Sequence, residues 1–290
     1  MRTKMATPSP AGPRTWLPGT LMVVPAVVLA AFVVIGGMVT ALAQSLGLFP
    51  LVGPPSLTVA AYGAHAADLP VGIALSLAIA TVSTVVACVV GFSAALIIVQ
   101  GKWCGKLVAA LGTLTIPVPH IVGAASISLL LADSGLLARL FNNGGQWPEL
   151  VGGPWWIGVV AEYGWKESAF VALVVTGTLA TRAVSYDETA ALLGAGRLRR
   201  LRHILIPLSL PALTVSATIV FVYSLGSYEV AWLLGRAYPE PLPVMALRLF
   251  NAATLTSRPE AAAVAILTTV LSMAAVAASL AYLRRSALWR

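Results

Sequence analysis

The chain has 290 residues, of which 59% are hydrophobic and only 10% charged, with a formal net charge of +8. Soluble domains carry roughly 25% charged residues, so this composition excludes a soluble globule, and several apolar runs exceed the ~18 residues that mark a membrane span. The two cysteines (Cys88, Cys104) and three histidines (His65, His120, His203) are scattered, which excludes a disulfide framework and leaves no metal constellation.

In chain order, residues 1–15 read as a cytoplasmic N-terminal tail and residues 16–290 as one transmembrane domain. The first span is predicted over about Leu21–Leu46, with Pro25 near its start and Gly36-Gly37 in its middle. Ala41-Leu42-Ala43 resembles a cleavage signal, but the apolar run before it exceeds the ~7–15-residue core of a signal peptide, so we read it as a retained anchor. An outer loop with Pro50, Gly53, Pro54 and Pro55 leads to Asp68-Leu-Pro70. The second span takes the charge-free run Val71–Gln100; an inner turn with Lys102 and Lys106 precedes the third, Leu107–Leu131. Asn142-Asn-Gly-Gly145 and Pro148 mark an outer segment. The fourth span, Pro154–Thr181, is interrupted by Glu162, Lys166 and Glu167. An inner loop over 182–207 leads to the fifth span, Pro207–Tyr228, and an outer segment ending at Pro259 leads to the sixth, Ala261–Leu283. An all-α integral membrane fold with six spans follows, because an unpaired backbone group in lipid costs several kcal/mol and barrel-type alternation is absent.

The basic residues fix an orientation. Arg2, Lys4, Arg14, Lys102, Lys106, Arg182, Arg197, Arg199, Arg200, Arg202, Arg284, Arg285 and Arg290 fall on one set of alternate segments; the opposite set holds only Arg139, Arg236, Arg248 and Arg258. The positive-inside rule then puts both termini in the cytoplasm and makes the basic excess topological, with no nucleic-acid partner implied. The tryptophans near the predicted ends, Trp16, Trp103 and Trp289 inside and Trp147, Trp155 and Trp156 outside, read as an aromatic belt.

The inner loop is more than a turn. It reads Glu188-Thr-Ala190-Ala-Leu192-Leu193-Gly194, nine residues, then Ile204-Leu-Ile-Pro207. Asp187 and Glu188 are predicted at the start of a short helix, where carboxylates suit the positive dipole end. Ala190, Leu192 and Leu193 offer a small apolar surface for a partner's groove, Gly194 permits a close approach or ends the helix, and Pro207 suits a first helical turn. Arg197 and its basic neighbours suit acidic side chains or lipid headgroups. The alternative for the whole loop is an interfacial amphipathic helix.

This spacing resembles the EAA loop of permease subunits in type I binding-protein-dependent ABC importers, whose pattern is E-A-A, three residues, G, nine residues, I-x-L-P. Thr189 and Ile206 are the two departures. The placement between spans four and five of six matches the family. Ser224-Leu-Gly-Ser-Tyr-Glu-Val230 with Leu233-Leu-Gly235, Pro117-Val-Pro119, Ser134-Gly-Leu136 and Trp165-Lys166 with Phe170 are similar to the polyamine, thiamine and ferric-iron branch. The resemblance implies a permease fold in the bacterial cytoplasmic membrane, a second permease (a different chain favoured), two cytoplasmic ATPase subunits and an extracytoplasmic solute-binding protein. It also implies that 187–207 transmits the ATPases' closure. No Gly-x-x-x-x-Gly-Lys-Ser/Thr run and no catalytic set is present, so the chain is expected to be no enzyme, to hold no cofactor, and to leave ATP and Mg to the partner subunits.

Ionisable groups within spans are functional candidates by default. Glu229, with Ser227 and Tyr228 at the outer end of span five, suits a cationic solute; a helix-capped carboxylate, or one paired with Arg236, is an equal alternative. Glu162 and Lys166, four apart, are expected to neutralise each other rather than bind solute. Glu167 is expected to reach the outer interface, and His120 to be a packed polar residue in a kinked helix. A polyamine-like or other small charged solute is favoured, with a sugar open. The rival function is an ATP-independent six-helix channel or carrier, with the loop lying on the membrane surface.

Overall fold

A computed structural model describes residues 17–141 and 147–285. The tail 1–15, the Asn142–Gly145 turn, Trp16, Trp289, Arg290 and the side chain of Arg182 lie outside what is described. The described residues are helical, without strands: α1 (Leu17–Ser45), α2 (Ala60–Gly63), α3 (Leu69–Val99), α4 (Trp103–Thr115), α5 (His120–Leu131), α6 (Leu136–Phe141), α7 (Ile157–Leu192), α8 (Arg197–Arg200), α9 (Ile206–Gly226), α10 (Glu229–Leu234), α11 (Leu242–Phe250) and α12 (Arg258–Arg285). Five helical stretches are long and apolar enough to cross a membrane, and a sixth is counted if the bent α7 is one span.

The core is α3 against α7, flanked by α9. Lipid offers no hydrophobic drive between helices, so close approach of small residues has to supply the packing. Ala80, Ala87 and Ala95 of α3 are fully buried. At Gly91 a Cβ would stand 2.6 Å from Val171 Cβ and 2.7 Å from the Ser168 carbonyl, and at Gly164 one would stand 2.7 Å from Val86 Cγ1. Glycine is required at both places for the helices to touch. Helix α1 packs along α12 but buries none of its apolar window. That is the placement of a peripheral, lipid-facing anchor.

Three expectations need correction. The third span is two helices, because Pro117 lacks an N–H and Pro119 forces Val118 out of the helical region; α4 ends at Thr115 and α5 starts at His120, with Pro119 extended at φ −61°, ψ 144°. The fifth span begins at Arg197, ten residues before Pro207. Helix α8 runs through a π-turn, Leu201–Leu205, directly into α9, the wider turn accommodating a proline that cannot donate. Trp156 belongs to no belt: it is 5% exposed, sits in the left-handed region at φ 55°, and packs in the core with Tyr163, Val230 and Leu234. Trp103 and Trp155 are exposed, as a belt requires.

Candidate functional site

The inner loop is built as the end of α7. That helix is roughly 54 Å long at 1.5 Å per residue, too long for one straight span, and its axis turns by 62° between Ile157–Ala180 and Ser185–Leu192. Its end is closed by a Schellman pattern. The Ala195 N–H donates to the Ala190 carbonyl (2.9 Å) and the Gly194 N–H to that of Ala191 (3.0 Å), with Gly194 at φ +82°. Only glycine takes that backbone without cost, so Gly194 is needed to stop the helix. Open space surrounds it.

Asp187 and Glu188 do not start a helix. They lie in the last two turns of α7, where the dipole is unfavourable to acids. Asp187 instead accepts a 2.6 Å bond from the Arg200 guanidinium, tying the descending helix to the returning one. Glu188 and Arg197 are exposed and Ala190 and Pro207 half-buried. Leu192 and Leu193 are 89% and 83% exposed, so the tip presents apolar side chains outward.

The fourth-span ionisable residues come together with groups that sequence reasoning set aside. Glu162 is fully buried, and the expected Glu162–Lys166 pair is not among the ion pairs of the described residues. His120 Nδ1 lies 3.1 Å from Glu162 Oε1, and His120 Nε2 lies 3.4 Å from Glu167 Oε1. Glu167 is buried, not at the outer interface. Lys166 Nζ donates to the carbonyl of Val118, freed by the break between α4 and α5, and to that of Thr115, which also accepts from the Val118 N–H. The lysine therefore caps a broken helix where an unpaired carbonyl would be costly.

The cluster joins three helices. The His120 ring of α5 lies against Tyr223 of α9, centroids 4.6 Å apart, and Tyr163 of α7 meets Tyr223 edge-on at 6.3 Å. Gly123 makes room: a Cβ there would stand 2.8 Å from Glu162 Oε1. A cavity of about 200 Å3 opens beside the cluster, lined by His120, Lys166, Glu167, Phe170 and Tyr223 with Ile116 and Ile219. His120, Tyr163, Glu167 and Tyr223 are what sequence reasoning missed. One signal was available: Glu162, Tyr163, Lys166 and Glu167 occupy i, i+1, i+4 and i+5, one helix face.

Ser227 is buried at the end of α9, its hydroxyl beside Tyr163 and Tyr223. Tyr228 is 43% exposed and precedes α10, where half-buried Glu229 takes the first turn. The Glu229 side chain makes no hydrogen bond or ion pair with the described residues, Arg236 included. Helix α10 packs on α5 and α7 through Val230, Ala231 and Leu234, so the two predicted groups adjoin. A further cavity of about 200 Å3, near the start of α3, is lined by Asp68, Tyr238, Glu240 and Arg248. Tyr238 donates to Asp68 (3.1 Å), which pushes its phenol above the usual tyrosine range, since ionising would lose that bond and set two negative charges together. Two bonds to Glu240 push Arg248 up likewise. The described residues contain no group of three or more His, Cys, Asp or Glu suited to a metal.

This fold is found in chains of solved ABC transporters. Over 92% of this chain and 93% of the other, it superposes on a chain of a bacterial alginate ABC transporter, solved with an alginate pentasaccharide-bound periplasmic protein, with a TM-score of 0.70 at 18% identity. An amino acid ABC transporter solved with histidines gives 0.58 at 14% identity, over 80% of this chain and 100% of that one. The family described as binding-protein-dependent transport system inner membrane component matches residues 87–288, and the chain belongs to it. It is 29% identical over 215 residues to the inner membrane ABC transporter permease protein YnjC of Escherichia coli (strain K12), across 72% of this chain and 40% of YnjC. It is 32% identical over 82 residues to the molybdenum transport system permease protein ModB of the same strain, across 25% of this chain and 36% of ModB. The matched region thus spans well under two thirds of either relative.

Proposed function

We propose that this chain is the permease subunit of a type I ABC importer in the bacterial cytoplasmic membrane, with six spans and both termini inside, forming half of a path for a small charged solute. A second permease, two ATPase subunits carrying ATP and Mg, and an extracytoplasmic solute-binding protein complete it. The polyamine, thiamine and ferric-iron branch remains the preferred placement within the family, on the residues quoted for it.

The observation that carries the reading is the tip of α7. Exposed leucines on a helix end stopped by a left-handed glycine are costly in water and gain by insertion into a protein groove. The 62° bend turns this tip across the direction of the span, so a push from an ATPase would act on α7 as on a lever. The test is Leu193→Asp beside Gly194→Trp, with the ATPase co-expressed. Leu193 is exposed, so its variant leaves the chain folded. Both variants should lose copurification of the ATPase and hydrolysis stimulated by the loaded binding protein. A Leu193→Asp complex that assembles and responds like the parent refutes the docking. A chain that purifies alone and transports unaided favours the ATP-independent carrier.

A further inference from the structure

We propose that a single water molecule is bound where α9 ends, in a small cavity walled by the hydroxyls of Ser76, Tyr163, Ser224 and Ser227. The proposal goes beyond the permease reading and does not depend on it.

The hydroxyls themselves call for a partner. Tyr163 is fully buried, and Ser76, Ser224 and Ser227 are each less than a tenth exposed. The hydroxyls of Tyr163, Ser224 and Ser227 make no hydrogen bond with the described residues, although that of Ser227 lies near both Tyr163 and Tyr223. Buried hydroxyls in folded chains are nearly always bonded, to protein or to an ordered water. Ser224 also departs from the habit of its own helix. Ser209, Thr214, Ser216 and Thr218 of α9 each donate to the carbonyl four residues back. Ser224 does not, and it lines the cavity instead.

Space and charge name the ligand. The cavity holds about 10 Å3, near the least volume that takes one water, roughly 10–15 Å3. The rest of its wall is apolar and carries no charged side chain, so an ion would find no counter-charge there. A water gives two hydrogens and accepts two. Ser76 Oγ already accepts from the Leu242 N–H at 2.8 Å and has its own O–H to give. Tyr163, Ser224 and Ser227 can each give or accept. One water therefore meets up to four hydroxyls, and no group has to change its charge.

The place in the fold gives this water a task. Its partners come from α3 (Ser76), α7 (Tyr163) and the end of α9 (Ser224, Ser227), where Ser227 has left the helix at φ −82°, ψ 135°. A water there ties three helices together at the turn between α9 and α10. Ser227 then belongs to that joint and not to a solute.

Radiolytic hydroxyl labelling of the full chain in lipid nanodiscs, read by mass spectrometry, tests this, because an X-ray pulse turns a bound water into a radical that oxidises the side chains touching it. Leu225 lines the cavity, whereas Leu179 sits in the apolar cluster of α3, α7 and α9, and both are fully buried. The two leucines have the same intrinsic reactivity. Leu225 should be oxidised several-fold faster than Leu179, with Tyr163 oxidised as well. Ser224→Val, which sets methyl groups in place of the hydroxyl, should bring Leu225 down to the Leu179 rate; Ser227→Val, outside the helix, repeats the test should Ser224→Val not fold. Leu225 oxidised no faster than Leu179 in the parent overturns the proposal, and that comparison needs no variant. So does fast oxidation of Leu225 that survives unchanged in either folded variant, since the reactive water would then lie elsewhere. No solute, ATPase or binding protein enters the measurement, so a negative result leaves the docking of the α7 tip standing and falls on this site alone.

Discussion

Replacing Gly123 by alanine strikes the cluster without altering any ionisable group. The added Cβ would stand 2.8 Å from Glu162 Oε1, forcing that carboxylate off His120 Nδ1, now 3.1 Å away. Losing one hydrogen bond to a charged group costs roughly 1.5–3 kcal/mol, and interhelical bonds in membranes reach ~1.7, so we take about 2. Against this, alanine gains about 1 kcal/mol over glycine in a helix interior. The net is about 1 kcal/mol of destabilisation. Gly112→Ala is the matched control: its Cβ meets nothing nearer than Ala169 Cβ at 4.0 Å, so it keeps the propensity gain alone. The two variants should differ by about 2 kcal/mol, or about 4 °C in thermal unfolding at ~2 °C per kcal/mol for a chain of this size. In a Glu162→Ala background the clash is gone and Gly123→Ala should turn neutral or stabilising. Equal melting of Gly123→Ala and Gly112→Ala, or no change of sign in the Glu162→Ala background, would refute the clasp between α5 and α7.

Asp187→Asn should loosen the end of α7, because the 2.6 Å bond to Arg200 loses its charge. For a partly exposed pair this is worth under about 1 kcal/mol, so amide exchange at Gly194 and Ala195 should speed up by at most about fivefold; unchanged exchange there would remove this pair from the loop's support. Asp68→Asn should bring the Tyr238 phenol down towards its ordinary range, read as phenolate absorbance during alkaline titration. The sign follows from a raised folded value: the Tyr238–Asp68 bond is intact below the ordinary tyrosine range and is lost as pH rises through the raised one. A Tyr238 titration that ignores Asp68→Asn would contradict the bond.

What was legible in the sequence was what depends on local composition. Uninterrupted apolar runs such as Val71–Gln100 nearly coincide with their helices, because membrane length and the absence of charge decide them alone. The Gly194 stop was legible for the same reason, as a backbone requirement of one residue. Errors fell where a distant group changed the local outcome. Lys166 was matched with its i−4 neighbour Glu162, but the prolines at 117 and 119 freed the Val118 carbonyl between two other helices, and this captured it. With Lys166 withdrawn, Glu162 and Glu167 turned to His120, forty-two residues from Glu162 in the chain. No helical periodicity carries that contact. Asp187 and Glu188 were misplaced because a carboxylate pair before Ala-Ala-Leu-Leu reads as a helix start, while the helix had begun thirty residues earlier, at Ile157.

Helix α7 carries both the polar cluster and the cytoplasmic tip, and this sets how they can communicate. From Glu167 to Leu192 is roughly 38 Å along one helix at 1.5 Å per residue. Towards the core it is held by α3 through glycine-sized contacts that tolerate little sliding, since Gly91 and Gly164 leave no room for even a methyl group. On the α5 side it is met by the His120 imidazole between two carboxylates and by Gly123 and Ala124 packed against Glu162 and Tyr163, next to a four-residue break at 116–119. Displacement of the tip would therefore meet the α3 face along its length and reach α5 beside the break at 116–119, where no continuous helix backs His120. His120, which touches both Glu162 and Glu167, is thus the point at which a movement of α7 is passed to α5.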